Sequence, residues 1–201
     1  MAFLVSLRLH FICNKSHQNL GGGRDRARVG VQVSVTLAEK RAQTVRHLFV
    51  NVNVYSCESE EEIMKELKNC AGKEVANAQA QANNYKSLKE HETPDEQVLQ
   101  KAIENWWSAL ANTGVEDNKY LDAMDNSLKA YANMAYQGTQ KVGCGVQVCK
   151  PQGRTEIQCG YVMDPPIMDE DPIYEIGKAC SKCAKLATPM KCSSLLGLCV
   201  P

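Results

Sequence analysis

Ten cysteines and four histidines are the residues of this 201-residue chain with the most direct claim to chemistry. The cysteines stand at 13, 57, 70, 144, 149, 159, 180, 183, 192 and 199. An even count at this density suits covalent pairing, and disulfides persist in oxidising compartments, so the chain reads as secreted. Metal binding is the competing chemistry. The tail run Cys180-x2-Cys183-x8-Cys192-x6-Cys199 offers four thiols. Zinc ribbons, however, pair two short Cys-x2-Cys clips, and the second spacing here is six. Disulfides are the better reading, and sequence leaves three tail connectivities open. His91 lies among Glu90, Glu92 and Asp95. Metal ligands usually converge from several elements, so this run reads as a solvated loop ahead of a helix. His47 reads as strand-edge surface, and His10 and His17 fall in the first fifty residues. No Ser/His/Asp order or reactive Cys/His pair stands out.

The charge balance removes other classes. Twenty-three basic and 23 acidic side chains cancel, whereas nucleic-acid binding rests on basic clusters facing phosphate. No apolar run approaches the ~20 residues needed to span a bilayer. Residues 2–13 are apolar enough for a leader core, although Arg8 interrupts them. The polar stretch 14–28, with Gly21-Gly22-Gly23, reads as a linker, and Asn14-Lys15-Ser16 within it is a glycosylation triplet. Hydrophobic residues at 44% supply enough material for a core.

The elements that would hold these residues show in the periodicity. Val29, Val31, Val33, Val35 and Leu37 alternate with polar residues, as do Leu48, Val50, Val52 and Val54, which predicts strands. Ser59 and Glu62 suggest a capping box for a helix with Ile63, Leu67 and Cys70 on one face. Residues 75–82 are rich in Ala and Gln and helix-tolerant. Thr93-Pro94-Asp95-Glu96 opens a helix with Thr93 as its cap; Val98, Ala102, Trp106 and Leu110 are its buried stripe, and Gly114 closes it. Only one of Trp106 and Trp107 is expected to face the core. Leu121, Met124, Leu128, Tyr131 and Ala135 predict a third helix. The period then changes to two through Val142, Cys144, Val146 and Val148. A Pro151-Gln152-Gly153 turn leads into Ile157, Cys159 and Tyr161, a β-hairpin. Its register puts Cys144 and Cys159 on one face, within bridging reach, and Cys149 on the other, where it needs a partner from elsewhere.

Several segments in order resemble the CAP superfamily of cysteine-rich secretory, antigen 5 and pathogenesis-related type 1 proteins, in particular its nematode venom-allergen-like, activation-associated branch. They are YSC (Tyr55–Cys57) with Cys70, ENWWSAL (Glu104–Leu110), NMAYQGTQ with KVGCGVQVCK (Asn133–Lys150), IQCGY (Ile157–Tyr161) and the tail YEIGKACSKC (Tyr174–Cys183) ending in LCVP. The resemblance covers roughly residues 52–201. It implies an α+β fold, a three-layer α-β-α sandwich followed by a cysteine-rich hinge. It implies Cys70–Cys149 and Cys144–Cys159 bridges, with Cys57 left to pair with Cys13. The organisation expected is a divergent segment over 1–50, the CAP domain over 51–165 and the hinge-like tail over 166–201. The first fifty residues lack the opening helix usual in the family.

The same resemblance implies a cleft with two His and two Glu able to bind a divalent metal such as zinc. Carried over position by position, those ligands fall on Val75, Ala82, Ala109 and Ala130. Valine and alanine have no lone pair and no titratable proton, so the implied site is degenerate, with no metal, no cofactor and no catalytic residue. The function expected is therefore a secreted, non-enzymatic interaction module for host or tissue proteins, with an immunomodulatory outcome in view. A carrier for sterols or other lipids is the alternative.

Overall fold

The computed structural model describes residues 54–174, together with strand fragments at 4–8, 32–36, 47–48, 176–177, 191–192 and 199–200 and residue 184. In chain order the elements are β1 (Leu4–Arg8), β2 (Gln32–Thr36), β3 (His47–Leu48), β4 (Val54–Tyr55), α1 (Cys57–Leu67), β5 (Ala82–Leu88), α2 (Asp95–Thr113), α3 (Asn126–Ala135), β6 (Thr139–Cys149), β7 (Arg154–Met163), β8 (Ile176–Gly177), β9 (Lys191–Cys192) and β10 (Cys199–Val200). The sheet that organises them runs β4-β6-β7-β5, with β4 parallel to β6 and the other pairs antiparallel. Helix α1 lies on one face, and α2 and α3 on the other. This is the three-layer α-β-α sandwich. β2 falls within the first alternation read from sequence, and β4 closes the second.

The hairpin β6–β7 is its spine. A short 3₁₀ turn over Lys150–Gln152 ends at Gly153, whose φ of 62° returns the chain. Cys144 then faces Cys159 directly and Cys149 pairs with Arg154. The two faces are built differently. Toward α2, Val142, Ile157, Cys159, Tyr161 and Met163 join Val98, Leu99, Ala102, Ile103, Trp106 and Ala130 in the main core. Toward α1, glycines take the place of side chains. A Cβ on Gly143 would lie 2.5 Å from the carbonyl oxygen of Ser56, and one on Gly145 2.7 Å from Ile63 Cγ2. The helix therefore rests on the strand backbone. Gly143→Ala meets helix backbone that cannot give way, whereas Gly145→Ala meets the ends of Ile63 and Met64. The first should destabilise by about 1–3 kcal/mol, and by more than the second, in urea titrations of the two variants.

Several sequence expectations are corrected here. Helix α1 is capped by Ser56, whose side chain accepts from the Ser59 backbone N–H at 3.2 Å. Ser59, expected as the cap, is inside the helix and buried, and its hydroxyl accepts from Asn77 Nδ2 at 2.8 Å. Cys70 lies beyond the helix at φ 50°. Residues 75–82 form no helix. Both backbone groups of Val75 are taken by the Gln158 side-chain amide, at 2.8 Å each, and from Ala82 the chain is strand β5. Such a capture leaves no backbone group free for an intrahelical bond. Pro94, not Thr93, occupies the cap position of α2 and has no side-chain acceptor to offer, while the Thr93 hydroxyl donates to Glu90 at 2.7 Å. The third helix begins only at Asn126, capped by Asp125, so Leu121 and Met124 belong to the preceding turn.

Both tryptophans are buried. Trp106 enters the main core, while Trp107 enters a second core with Ala109, Leu128, Tyr131, Ala132, Ala135 and Ile173. Its ring meets Tyr131 edge to face at 5.2 Å. Neighbours on a helix point about 100° apart. Because α2 is flanked by the sheet on one side and α3 on the other, both directions lead inside.

Candidate functional site

The four positions onto which the metal ligands were carried have different surroundings. Ala130 is buried on α3, and its carbonyl accepts from Asn84 Nδ2 at 2.9 Å. Asn84 Oδ1 in turn accepts from Asn133 Nδ2 at 2.9 Å, and Asn84 Nδ2 lies 3.2 Å from the Tyr161 hydroxyl. β5, α3 and β7 thus each contribute one member of a buried amide and phenol network under Ala130. Ala82, two residues before Asn84 on β5, packs against the same main core. Ala109 is buried one layer away, in the second core. Val75 belongs to the α1 side of the sheet, where Gln158 holds its backbone. The structure therefore brings Ala82 and Ala130 to one core and sets Ala109 and Val75 apart from it.

What this network can do follows from its groups. Amides do not titrate, and burial pushes the Tyr161 phenol well above its usual range, against a smaller lowering by its bond with Asn84. No member exchanges a proton near neutral pH. Val75, Ala82, Ala109 and Ala130 supply no donor atom from their side chains, so they do not fit a divalent cation. Among the described residues, no three His, Cys, Asp or Glu side chains are placed to hold a metal ion.

The remaining sequence candidates lie elsewhere. His91 is exposed in the loop before α2. Its neighbour Glu90 is held by Lys101 Nζ at 2.7 Å and by Thr93, which draw its carboxyl below the ordinary range, the Lys101 bond most of all. Disulfides join Cys70 to Cys149 and Cys144 to Cys159. Cys57 is itself disulfide-bonded. Cys13, its expected partner, lies outside the described residues, as do Asn14, His10, His17, Cys180 and Cys183. In the tail, Cys199 pairs in backbone register with Cys192.

One group escaped the sequence reading. Glu156 is fully buried on the α1 side of β7. Its Oε1 accepts from Arg154 Nε and Nη2, at 2.8 Å each, and from the Gly72 N–H at 2.9 Å. Arg154 Nη2 also donates to the Cys70 carbonyl at 2.7 Å, while among the described residues Glu156 Oε2 is left without a hydrogen-bond partner. The Tyr85 phenol on β5 is pushed up by burial and then by the charge of Glu156. Residues 70–75 are thereby fastened to β6 by the Cys70–Cys149 disulfide and to β7 by the hydrogen bonds they make with Arg154, Glu156 and Gln158. In sequence, Glu156 and Gln158 are the polar members of the alternation with Ile157, Cys159 and Tyr161, and alternation alone does not mark a polar residue as the anchor of a covering segment. The available signal was the glycines of that face, Gly143, Gly145 and Gly160, which admit a close-lying cover. A Cβ on Gly160 would come within 2.1 Å of Asn77 Nδ2.

Comparison with known proteins bears on this geometry. The profile of the cysteine-rich secretory protein family, CAP, matches residues 38–162. Ancylostoma secreted protein of Ancylostoma caninum is 30% identical over 148 residues, which are 72% of this chain and 33% of that protein. The chain thus spans about a third of the length of that curated relative. A crystal structure of NaASP2 with Zn²⁺ superposes with a TM-score of 0.65 at 26% identity, covering 76% of this chain and 78% of that one. A crystal structure of Na-ASP-1 does so with a TM-score of 0.62 at 28% identity, covering 78% and 38%.

Proposed function

Because the chain belongs to the cysteine-rich secretory protein family, CAP, we propose that it is a secreted, non-enzymatic interaction module whose disulfide-stapled scaffold presents loops to extracellular proteins. One observation carries the reading. At the four positions where the family resemblance puts imidazole and carboxylate stand Val75, Ala82, Ala109 and Ala130. A hydrolytic metal centre needs lone-pair donors to hold the ion and to lower the pKa of its water, and these side chains have none. The polar groups nearest Ala130 are amides and a phenol, which position and do not exchange protons. Two internal disulfides and a bonded Cys57 support export to an oxidising compartment. The relative from Ancylostoma caninum is described as secreted, and no helix among the described residues is long and apolar enough to cross a membrane.

The similar NaASP2 structure was solved with Zn²⁺, which makes zinc the sharpest test. Isothermal calorimetry of the native, disulfide-intact chain at pH 7 is expected to show no stoichiometric zinc uptake. Uptake of one zinc per chain would overturn the reading. A labelled-sterol titration alongside it addresses the carrier alternative, for which saturable binding lost on denaturation would be required.

A further inference from the structure

The zero formal charge of the whole chain is an average over unlike parts. Residues 54–174 carry 11 basic and 20 acidic side chains, a net charge of −9. The rest of the chain carries 12 basic and 3 acidic, a net of +9. Much of the negative charge gathers where two loops meet, 116–125 ahead of α3 and 164–172 after β7. Together they hold eight acidic residues and a single lysine, Lys119.

Hydrogen bonds join those loops into one ridge. The Tyr120 N–H donates to the Asp171 carbonyl and the Glu170 N–H to the Tyr120 carbonyl, each at 2.8 Å. The Asp122 N–H donates to Asp169 Oδ1 at 2.8 Å, and Lys119 bridges to Pro172 in β fashion. On this ridge stand the large exposed hydrophobic residues of the described chain, Met168 at 64% and Leu121 at 37% exposure. Each is followed directly by an acidic residue, Asp169 after Met168 and Asp122 after Leu121, and Asp117, Asp122, Asp164, Asp169 and Glu170 are all exposed. Two apolar knobs on a preorganised ridge are an arrangement that costs solvation and that the core does not use. Preorganisation also lowers the entropic cost of docking.

We infer that this ridge docks a cationic protein partner, a segment in which Lys or Arg side chains flank an apolar residue. Charge complementarity selects that occupant. Nucleic acid and anionic lipid present phosphate, which the ridge repels, and a purely apolar surface would leave its carboxylates desolvated and unpaired. Contact between Met168, Leu121 and the partner's apolar side chain supplies a centre, while the carboxylates steer approach and fix orientation. The inference rests on the interaction-module reading and names the class of partner.

The test uses the full chain and a fluorescein-labelled peptide of alternating Lys and Leu, with Lys/Ser and Glu/Leu peptides of equal length beside it. Fluorescence anisotropy is expected to show saturable binding of the Lys/Leu peptide that weakens about tenfold between low and high salt. Leu121→Ser with Met168→Ser, and separately Asp122→Asn with Glu170→Gln, should each weaken it about tenfold while leaving the thermal midpoint in place. The Lys/Ser peptide should bind more weakly and the Glu/Leu peptide not at all. Equal binding by wild type and both variants would overturn the ridge and leave the interaction reading standing. Absence of binding to any of the peptides would overturn the cationic-partner assignment, and only zinc uptake in the calorimetric test would remove the broader reading as well. Carbodiimide cross-links in the free protein between ridge carboxylates and lysines outside residues 54–174 would identify the chain itself as the occupant and likewise overturn a separate partner.

Discussion

Arg154→Met is expected to cost the fold about 3–5 kcal/mol, read as a lower urea midpoint with an unchanged slope. The substitution keeps most of the side-chain volume and removes the guanidinium. What remains is a carboxylate at Glu156 with no exposure to water, one N–H donor at Gly72, and a second oxygen that has no partner among the described residues. A buried charge deprived of its counter-ion is among the few changes that reach this magnitude. Replacing both members, Arg154→Met with Glu156→Leu, should recover most of the loss, since an apolar pair of similar volume has no charge to desolvate. A single-variant cost under about 1 kcal/mol would mean that water reaches the carboxylate and that residues 70–75 do not seal this side of the sheet.

The Cys70–Cys149 bridge carries the second large effect. It joins positions 79 residues apart, whereas Cys144 and Cys159 are separated by 15. If a disulfide acts mainly by restricting the unfolded chain, Cys70→Ala with Cys149→Ala should cost about 4.5 kcal/mol, and Cys144→Ala with Cys159→Ala about 3 kcal/mol. Paired thermal melts under non-reducing conditions would check the order, and a reversed order would show that packing around the shorter bridge outweighs loop closure. The longer bridge and the ion pair should also fail to add. Arg154 reaches the Cys70 carbonyl, so releasing the disulfide loosens the group that the guanidinium holds.

The hairpin was legible because its information is local. A two-residue period and a Pro-Gln-Gly turn fix which side chains share a face, and Cys144 facing Cys159 follows from counting. The same count sent Cys149 to the opposite face and required an outside partner, which the structure supplies from just beyond α1. Where reading failed, the deciding contact came from far along the chain. Residues 75–82 have the composition of a helix, but Gln158, more than 80 residues away, takes the backbone bonds of Val75. Ser59 has the spacing of a cap, yet the strand geometry of Val54–Tyr55 ends early enough for Ser56 to serve. Glu156 and Gln158 carried no signal of their own, because alternation reports that two faces differ and not which polar side chains a covering segment will use. The network beneath Ala130 was equally hidden. Asn84 and Asn133 carry no periodic signal, and their pairing depends on α3 crossing β5.

Adjacent indoles in separate cores also bear on how the molecule comes apart. Trp106 belongs to the layer against the sheet and Trp107 to the layer against α3, so one peptide bond is shared between two apolar interiors. Neither interior can melt while the other keeps its wall, since both would lose the same helix. Heating should therefore give a single cooperative transition, with the calorimetric and van't Hoff enthalpies in agreement across these layers.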